Sequence, residues 1–130
     1  MHSEIKIQSV ICAFYNNTYC LVHHKPRCLI LAIPNGGDRN KVNAMMSIAA
    51  GEYSGASDLL VIHFGKIIFV EVKTPEAYKK KNHGQSDKQI KFQEHVESIG
   101  FPYHIVTSLE EFKNIIEQLE SKEPFNPFYS

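Results

Sequence analysis

The sequence is short of the features that announce most function classes. Its three cysteines, Cys12, Cys20 and Cys28, are an odd number without a CxxC pair, so neither a disulfide framework nor a zinc site is indicated. Free cysteines of this kind are expected in or near a core. No apolar run approaches transmembrane length, and Met1 to Val10 lacks the charged-then-apolar layout of a secretion signal. No membrane role is expected, and the cytoplasm is the default location (a host's, if the source is viral). A basic excess is missing too, since 14 Lys and Arg cancel 14 Asp and Glu. A protein that coats a polyanion normally carries net positive charge, so the balance weighs against a simple DNA-coating role. It weighs less against a nuclease, because catalytic carboxylates and their metal change the local charge count.

Repeats, low-complexity stretches and internal linkers are also absent. What is there is 130 residues, 43% hydrophobic and 22% charged, enough for one compact domain that folds without disulfides or a structural metal. The expected domain spans residues 1–122, and residues 123–130, with Pro124 and Pro127, read as a loose tail. Ser3 to Tyr15 has a cap residue and apolar positions at Ile7, Val10, Ile11 and Phe14, a helical spacing broken at Asn16-Asn17. Arg27 to Ile33 reads as a buried strand stopped by Pro34-Asn35-Gly36-Gly37, and Lys41 to Ala50 as a helix. Leu59 to Ile62 and Ile67 to Val72 are apolar runs flanking His63-Phe64-Gly65-Lys66, the pattern of a hairpin buried on both faces. A lysine-rich loop, Glu76 to His83, follows Pro75. Ser86 to Ser98 is helical and closed by Gly100; Tyr103 to Val106 is a strand. Ser108 and Glu111 form a capping box for a last helix whose apolar face is Leu109, Phe112, Ile115, Ile116 and Leu119. The order predicts a single-domain α/β sandwich, a mixed central sheet flanked by helices.

The hairpin carries the chemistry. With its turn centred on Phe64-Gly65, facing residues have numbers summing to 129, so Asp58 lies opposite Glu71. Opposed residues share a face with Cβ atoms about 4.5–5.5 Å apart, and Lys73, two residues past Glu71, joins them. Like charges opposed on adjacent strands destabilise a sheet. A divalent cation offsets that cost, since Mg²⁺ commonly takes one or two carboxylates, waters and a phosphate oxygen. The Val72 carbonyl is a further candidate ligand, and Lys73 is placed to hold or deprotonate a water. The plainer reading makes Asp58 a strand-end residue, Lys73 a snorkelling surface side chain and Glu71 its ion-pair partner. On residue types alone the two readings stand about level.

Beyond the residue types, Gly55-Ala-Ser-Asp58, the apolar strand after it and Glu71-Val-Lys73-Thr-Pro resemble the split Asp…Glu-X-Lys signature of PD-(D/E)XK nucleases. The chain is specifically similar to the virus-type replication–repair nuclease (VRR-NUC) family. Three further ordered pieces carry the likeness: Ile33-Pro-Asn-Gly-Gly37 with Arg39, Gln85-Ser-Asp-Lys-Gln89, and Gly100-Phe-Pro-Tyr103 leading to Val106-Thr-Ser-Leu-Glu-Glu-Phe112. The resemblance implies a restriction-endonuclease-like core and hydrolysis of DNA phosphodiesters with Mg²⁺ or Mn²⁺, leaving 3′-hydroxyl and 5′-phosphate ends. It assigns Asp58 and Glu71 to the metal and Lys73 to the water, and adds Glu4 as a further ligand and Gln89 as a polar site residue. It also implies a homodimer acting on branched DNA such as four-way junctions. The alternative is a non-catalytic nucleic-acid-binding module on the same fold. The Tyr78 to His83 loop departs from the pattern, being longer than in relatives.

The remaining candidates each have a plain reading beside the functional one. Glu4 also favours the helix dipole as a first-turn carboxylate. Asn35, Gly36 and Gly37 form a turn that also lets DNA approach the backbone, with Arg39 reaching a phosphate. Gln85, Lys79 and Lys80 are candidate DNA contacts, as are Lys81 and the His23, His24, Lys25, Arg27 patch, although charge runs are usually solvated loops. Met45 and Met46 are expected in the core, and Glu52 and Tyr53 are expected to line the site.

Overall fold

The computed structural model of the chain describes residues 3–34, 45–46 and 49–121. Asn35, Gly36, Gly37, Arg39, most of the Lys41 to Ala50 helix and the tail at 123–130 lie outside the described residues. Helix α1, Glu4–Tyr15, starts where Ser3 Oγ accepts the Lys6 amide at 3.3 Å, satisfying one of the free donors of a first turn. Its expected end at Asn16-Asn17 is instead a widening into a π-helical turn, Asn16–Cys20, after which the chain runs to β1, Leu29–Ala32.

Strands β2, Leu59–His63, and β3, Lys66–Val72, form the hairpin. Its two turn residues, Phe64 and Gly65, both have positive φ, 47° and 82°, as a two-residue turn matching the strand twist requires. The register runs from His63↔Lys66 to Leu59↔Val70, so each pair sums to 129. β4, Tyr103–Val106, adds to β3 in parallel, and β1 to β2 antiparallel, giving the order β1-β2-β3-β4. Between β3 and β4 come a one-turn helix α2, Pro75–Tyr78, a 3-10 turn, Lys81–Gly84, and α3, Asp87–Ser98. The expected lysine-rich loop is therefore largely short helix and turn: Thr74 caps α2 and Pro75, with its preset φ, occupies its first turn. Helix α4, Leu109–Ser121, closes the fold. Ser108 Oγ accepts the Glu111 amide at 3.2 Å, but the Glu111 carboxylate takes the Thr107 amide at 2.6 Å, one residue upstream of the expected box.

Period-two alternation sorts the side chains into two layers. Leu59, Val61, Ile68, Val70, Val72 and Val106 face α1 and α4, where Ile7, Ile11, Tyr15, Phe112 and Ile116 complete the larger core. Ala56, Phe92, Val96 and Tyr103, with Phe69 and Ile105, form the smaller core under α3. Each fully buried side chain of this size contributes about 1.5–3 kcal/mol, so the larger cluster anchors the sheet. The mixed sheet between helices is the α/β sandwich expected. β1 departs from expectation: it is an edge strand among the described residues, with Leu29 and Leu31 44% and 47% exposed and only Ile30 buried. Met45 and Met46, expected in the core, are each 65% exposed. Cys20 and Cys28 are buried and Cys12 half-buried, all as free thiols. No helix among the described residues is long and apolar enough to cross a membrane.

The turn end of the hairpin is tied to the helices by a polar network within the larger core. Tyr15 Oη lies 2.8 Å from His63 Nδ1, and His63 Nε2 lies 3.1 Å from Glu120 Oε1. Burial pushes the His63 pKa down, against the pull of Glu120. Removing the phenol leaves a buried ring nitrogen unpaired. Tyr15→Phe is therefore expected to lower the unfolding free energy by about 1–3 kcal/mol, as read by urea denaturation at neutral pH.

Candidate active site

The other end of the hairpin is where the sheet turns polar. Extending the register one pair beyond Leu59↔Val70 sets Asp58 opposite Glu71, on the sheet face that carries α3. Asp58 is fixed at both ends of the residue: its carbonyl accepts the Ile33 amide at 2.8 Å, and its Oδ2 accepts the Val72 amide at 2.6 Å. The side chain thus takes the place of the next rung of the β2–β3 ladder. Gly55 sets the approach to it. Its φ is +81°, and a Cβ there would sit 2.5 Å from the Lys88 carbonyl carbon, so only glycine lets this loop press against the first turn of α3.

Glu71 and Lys73 are both withdrawn from water, at 1% and 8% exposure. The snorkelling reading of Lys73 is therefore wrong: its backbone amide extends the parallel ladder to Val106 at 3.0 Å, and its ammonium is held inside. Lys73 Nζ donates to the Gly84 carbonyl at 3.0 Å and to Gln89 Oε1 at 3.2 Å, and stands 3.6 Å from Glu71 Oε2. Gln89 Oε1 also accepts the Ser86 amide at 2.8 Å as part of the α3 capping box, so one side chain starts the helix and steadies the lysine. Glu71 Oε1 accepts from the Tyr103 hydroxyl and, at 3.3 Å, from Gln85 Nε2. Glu71 Oε2 is buried and has no hydrogen-bond partner.

The electrostatics follow from this crowding. Burial pushes the Asp58 carboxyl up to about 6, the charges of Glu71 and Glu4 adding to the rise while the Val72 amide and Lys73 oppose it. Burial, then the bond to Glu71, raises the Tyr103 phenol, which stays a proton donor. A buried polar oxygen without a hydrogen bond costs about 1–3 kcal/mol, a cost that the Lys73 ammonium at 3.6 Å offsets only in part. A divalent cation fits here: two opposed carboxylates supply anionic oxygens, and the Val72 carbonyl, leaving the strand on the same side as the amide bound to Asp58, is a third donor. Among the described residues no group of three or more His, Cys, Asp or Glu is gathered. A set of two carboxylates suits Mg²⁺ or Mn²⁺, which keep several waters, better than zinc.

Asp58, Glu71, Val72, Lys73, Gln85 and Gln89 are thus brought together. Glu4 is exposed on the first turn of α1, near enough for its charge to act on Asp58. Lys79 and Lys80 are exposed at the end of α2. Arg27 instead bonds the Cys20 carbonyl at 3.1 Å and lies beside Phe64 and Gly65, at the opposite end of the hairpin. Tyr53 is engaged with α3, its Oη 3.0 Å from His95 Nδ1 and its ring against Phe92. With Glu52, Leu60 and Phe69 it lines an apolar cleft of about 710 Å³ rather than touching the carboxylates. Tyr103 and the Gly84 carbonyl were not anticipated. Tyr103 joins the site because β4 pairs in parallel with Phe69↔Tyr103 in register, a long-range fact; the Gly100-Phe-Pro-Tyr103 piece of the resemblance was the one sequence signal for it.

The raised Asp58 pKa means that the folded chain holds its proton to higher pH than the unfolded chain does. The corresponding stability is fully present below the ordinary value of 3.8 and lost as pH rises through about 6. Asp58→Asn keeps an oxygen for the Val72 amide and removes the charge. In chelator it is expected to raise the unfolding free energy at pH 8 by about 1–2 kcal/mol, with the gain vanishing toward pH 4, as urea denaturation across that range will read.

No protein-family model matches the chain, and no curated protein matches it. A solved structure described as a VRR_NUC domain protein does, with a TM-score of 0.70 over 97% of this chain and 94% of that one, at 15% sequence identity. The likeness runs through nearly all of both chains, so it concerns the whole arrangement of sheet and helices and not one motif. This chain has the fold of a VRR_NUC domain protein.

Proposed function

We propose that the chain is a metal-dependent nuclease that hydrolyses DNA phosphodiester bonds, with Asp58, Glu71 and Lys73 as its centre. The observation that carries the reading is the buried Glu71 Oε2, which receives no hydrogen bond, meets the Lys73 ammonium only at 3.6 Å and has the opposed Asp58 carboxylate beside it. A bland ion pair would leave neither a bare buried oxygen nor a second carboxylate beside it. Asp58, Glu71 and the Val72 carbonyl would hold Mg²⁺ or Mn²⁺; Glu4, exposed and not gathered with the two carboxylates, would add only its charge. When bound, the cation supplies Lewis-acid polarisation of the phosphate and lowers the pKa of coordinated water.

Lys73 orients the attacking water and meets the charge that builds on the phosphoryl oxygens. Its tethers to Gly84 and Gln89 keep the ammonium from collapsing onto Glu71. Water oxygen bonds to phosphorus and the bond to the 3′ oxygen breaks, leaving 3′-hydroxyl and 5′-phosphate ends. Asn35, Gly36, Gly37, Arg39, Lys79 and Lys80 contact the DNA backbone, whereas both hydrogens of the Gln85 amide are taken up by Glu71 and Gln93. The substrate we favour is branched DNA such as a four-way junction, cut by a symmetric dimer whose paired sites match paired strands. The exposed Leu29 and Leu31 of edge strand β1 suit burial in such an assembly.

The test is cleavage of a labelled panel of four-way junctions, flaps, duplex and single strands with Mg²⁺ or Mn²⁺. Wild type is expected to cut, and Lys73→Ala to lose at least about 100-fold in rate, the scale of a lost preorganised charge. A junction preference together with a dimer by sedimentation supports the finer reading; full activity as a monomer sinks the dimer. Absence of cutting by folded, metal-loaded wild type points instead to a non-catalytic nucleic-acid-binding module.

A further inference from the structure

The two oxygens of Glu71 are treated very differently. The Tyr103 hydroxyl and the Gln85 amide both converge on Oε1, while Oε2, equally buried, receives no hydrogen bond and faces Lys73 at 3.6 Å. If these donors served only to satisfy a buried carboxylate, sharing them between its oxygens would cost less, since each bare buried oxygen is penalised. Tyr103 is not free to wander. It is 7% exposed, its backbone is paired opposite Phe69 in β4, and its ring packs at 6.1 Å on Phe92. Gln85 is itself held, donating to Gln93 Oε1 at 3.0 Å.

We infer that Tyr103, assisted by Gln85, is a positioning residue that occupies Glu71 Oε1 and presents Oε2 alone to the cation, so that it sets how many oxygens Glu71 offers and with them the preference for Mg²⁺ over Ca²⁺. This rests on the nuclease reading above. Mg²⁺ demands near-ideal octahedral geometry and few protein oxygens, whereas Ca²⁺ accepts six to eight ligands and readily takes both oxygens of one carboxylate. A carboxylate with one oxygen locked by a phenol suits the smaller ion. Freed of that lock, Glu71 rotates and offers both. Groups that hold a ligand in this way typically change metal affinity by about 10–100-fold when removed.

The experiment is calorimetric titration of Mg²⁺, Mn²⁺ and Ca²⁺ into wild type, Tyr103→Phe and Gln85→Leu, with thermal unfolding in chelator as the check on folding. Wild type is expected to bind Mg²⁺ and Mn²⁺. Tyr103→Phe is expected to weaken Mg²⁺ by about 10-fold or more and to weaken Ca²⁺ less, so that the ratio of the two affinities falls. Gln85→Leu, a change at a half-buried side chain, moves the ratio the same way by a smaller factor and keeps the inference testable if Tyr103→Phe folds poorly. Equal weakening of all three ions, or none, with wild type binding normally, overturns the role of Tyr103 and leaves the nuclease reading in place. Failure of wild type to bind any of the ions overturns the metal centre itself.

Discussion

A buried carboxylate in the middle of a sheet is an expensive thing to build, and Glu71 is one. Its strand neighbours Val70 and Val72 are sealed into the larger core, so the strand cannot shift to let the side chain reach water without exposing hydrocarbon on the other face. Alternation therefore pins Glu71 under α3, and the groups around it answer to that placement. Tyr103 and Gln85 supply donors to one oxygen, Lys73 supplies counter-charge to the other, and Asp58 brings a second negative charge close by. Two carboxylates crowded this closely beside a dry core are electrostatically tense, at some cost in stability.

Around this tension the neighbouring elements are tied together by specific contacts. The approach of Gly55 to α3 locks the loop leading into Asp58 against the helix that carries Gln89, just after Gln85. Gln89 belongs at once to the capping box and to the Lys73 cradle, so the start of α3 and the position of the ammonium are a single structural event. At the other end of the hairpin, Tyr15, His63 and Glu120 tie the turn to α1 and α4. The hairpin is thus clamped at both ends, which holds its carboxylate pair in register. Two long-range clamps on one hairpin place the candidate site on strands, where the spacing is held, and not on loops, where it would drift.

Much of this was legible in the sequence because it is local. A two-residue turn at Phe64-Gly65 sets the pairing of every residue behind it, so the opposition of Asp58 and Glu71 follows from counting. The caps at Ser3, Ser86 and Ser108, and the spacing of Ile7 and Ile11 or Phe112 and Ile116, mark helices by the hydrogen bonds and apolar stripes a single turn needs. What counting does not reach is which elements meet. The parallel docking of β4 on β3, which brings Tyr103 to Glu71, depends on a crossover of some thirty residues. The burial of Lys73 depends on α3 lying over it, and the openness of Leu29 and Leu31 on nothing described lying over β1. Local propensity misled where packing prevailed: Asn16-Asn17 does not stop the first helix but widens it, and the lysine-rich stretch after Pro75 is mostly turn and helix because Thr74 caps it. The sequence by itself determined the hairpin register and the opposed carboxylates, since both follow from covalent order and pleat. Only the tertiary structure decided that one oxygen of Glu71 is bound twice and the other receives no hydrogen bond, because that requires Tyr103 of β4 and Gln85 ahead of α3, both remote in sequence, to converge on a single oxygen.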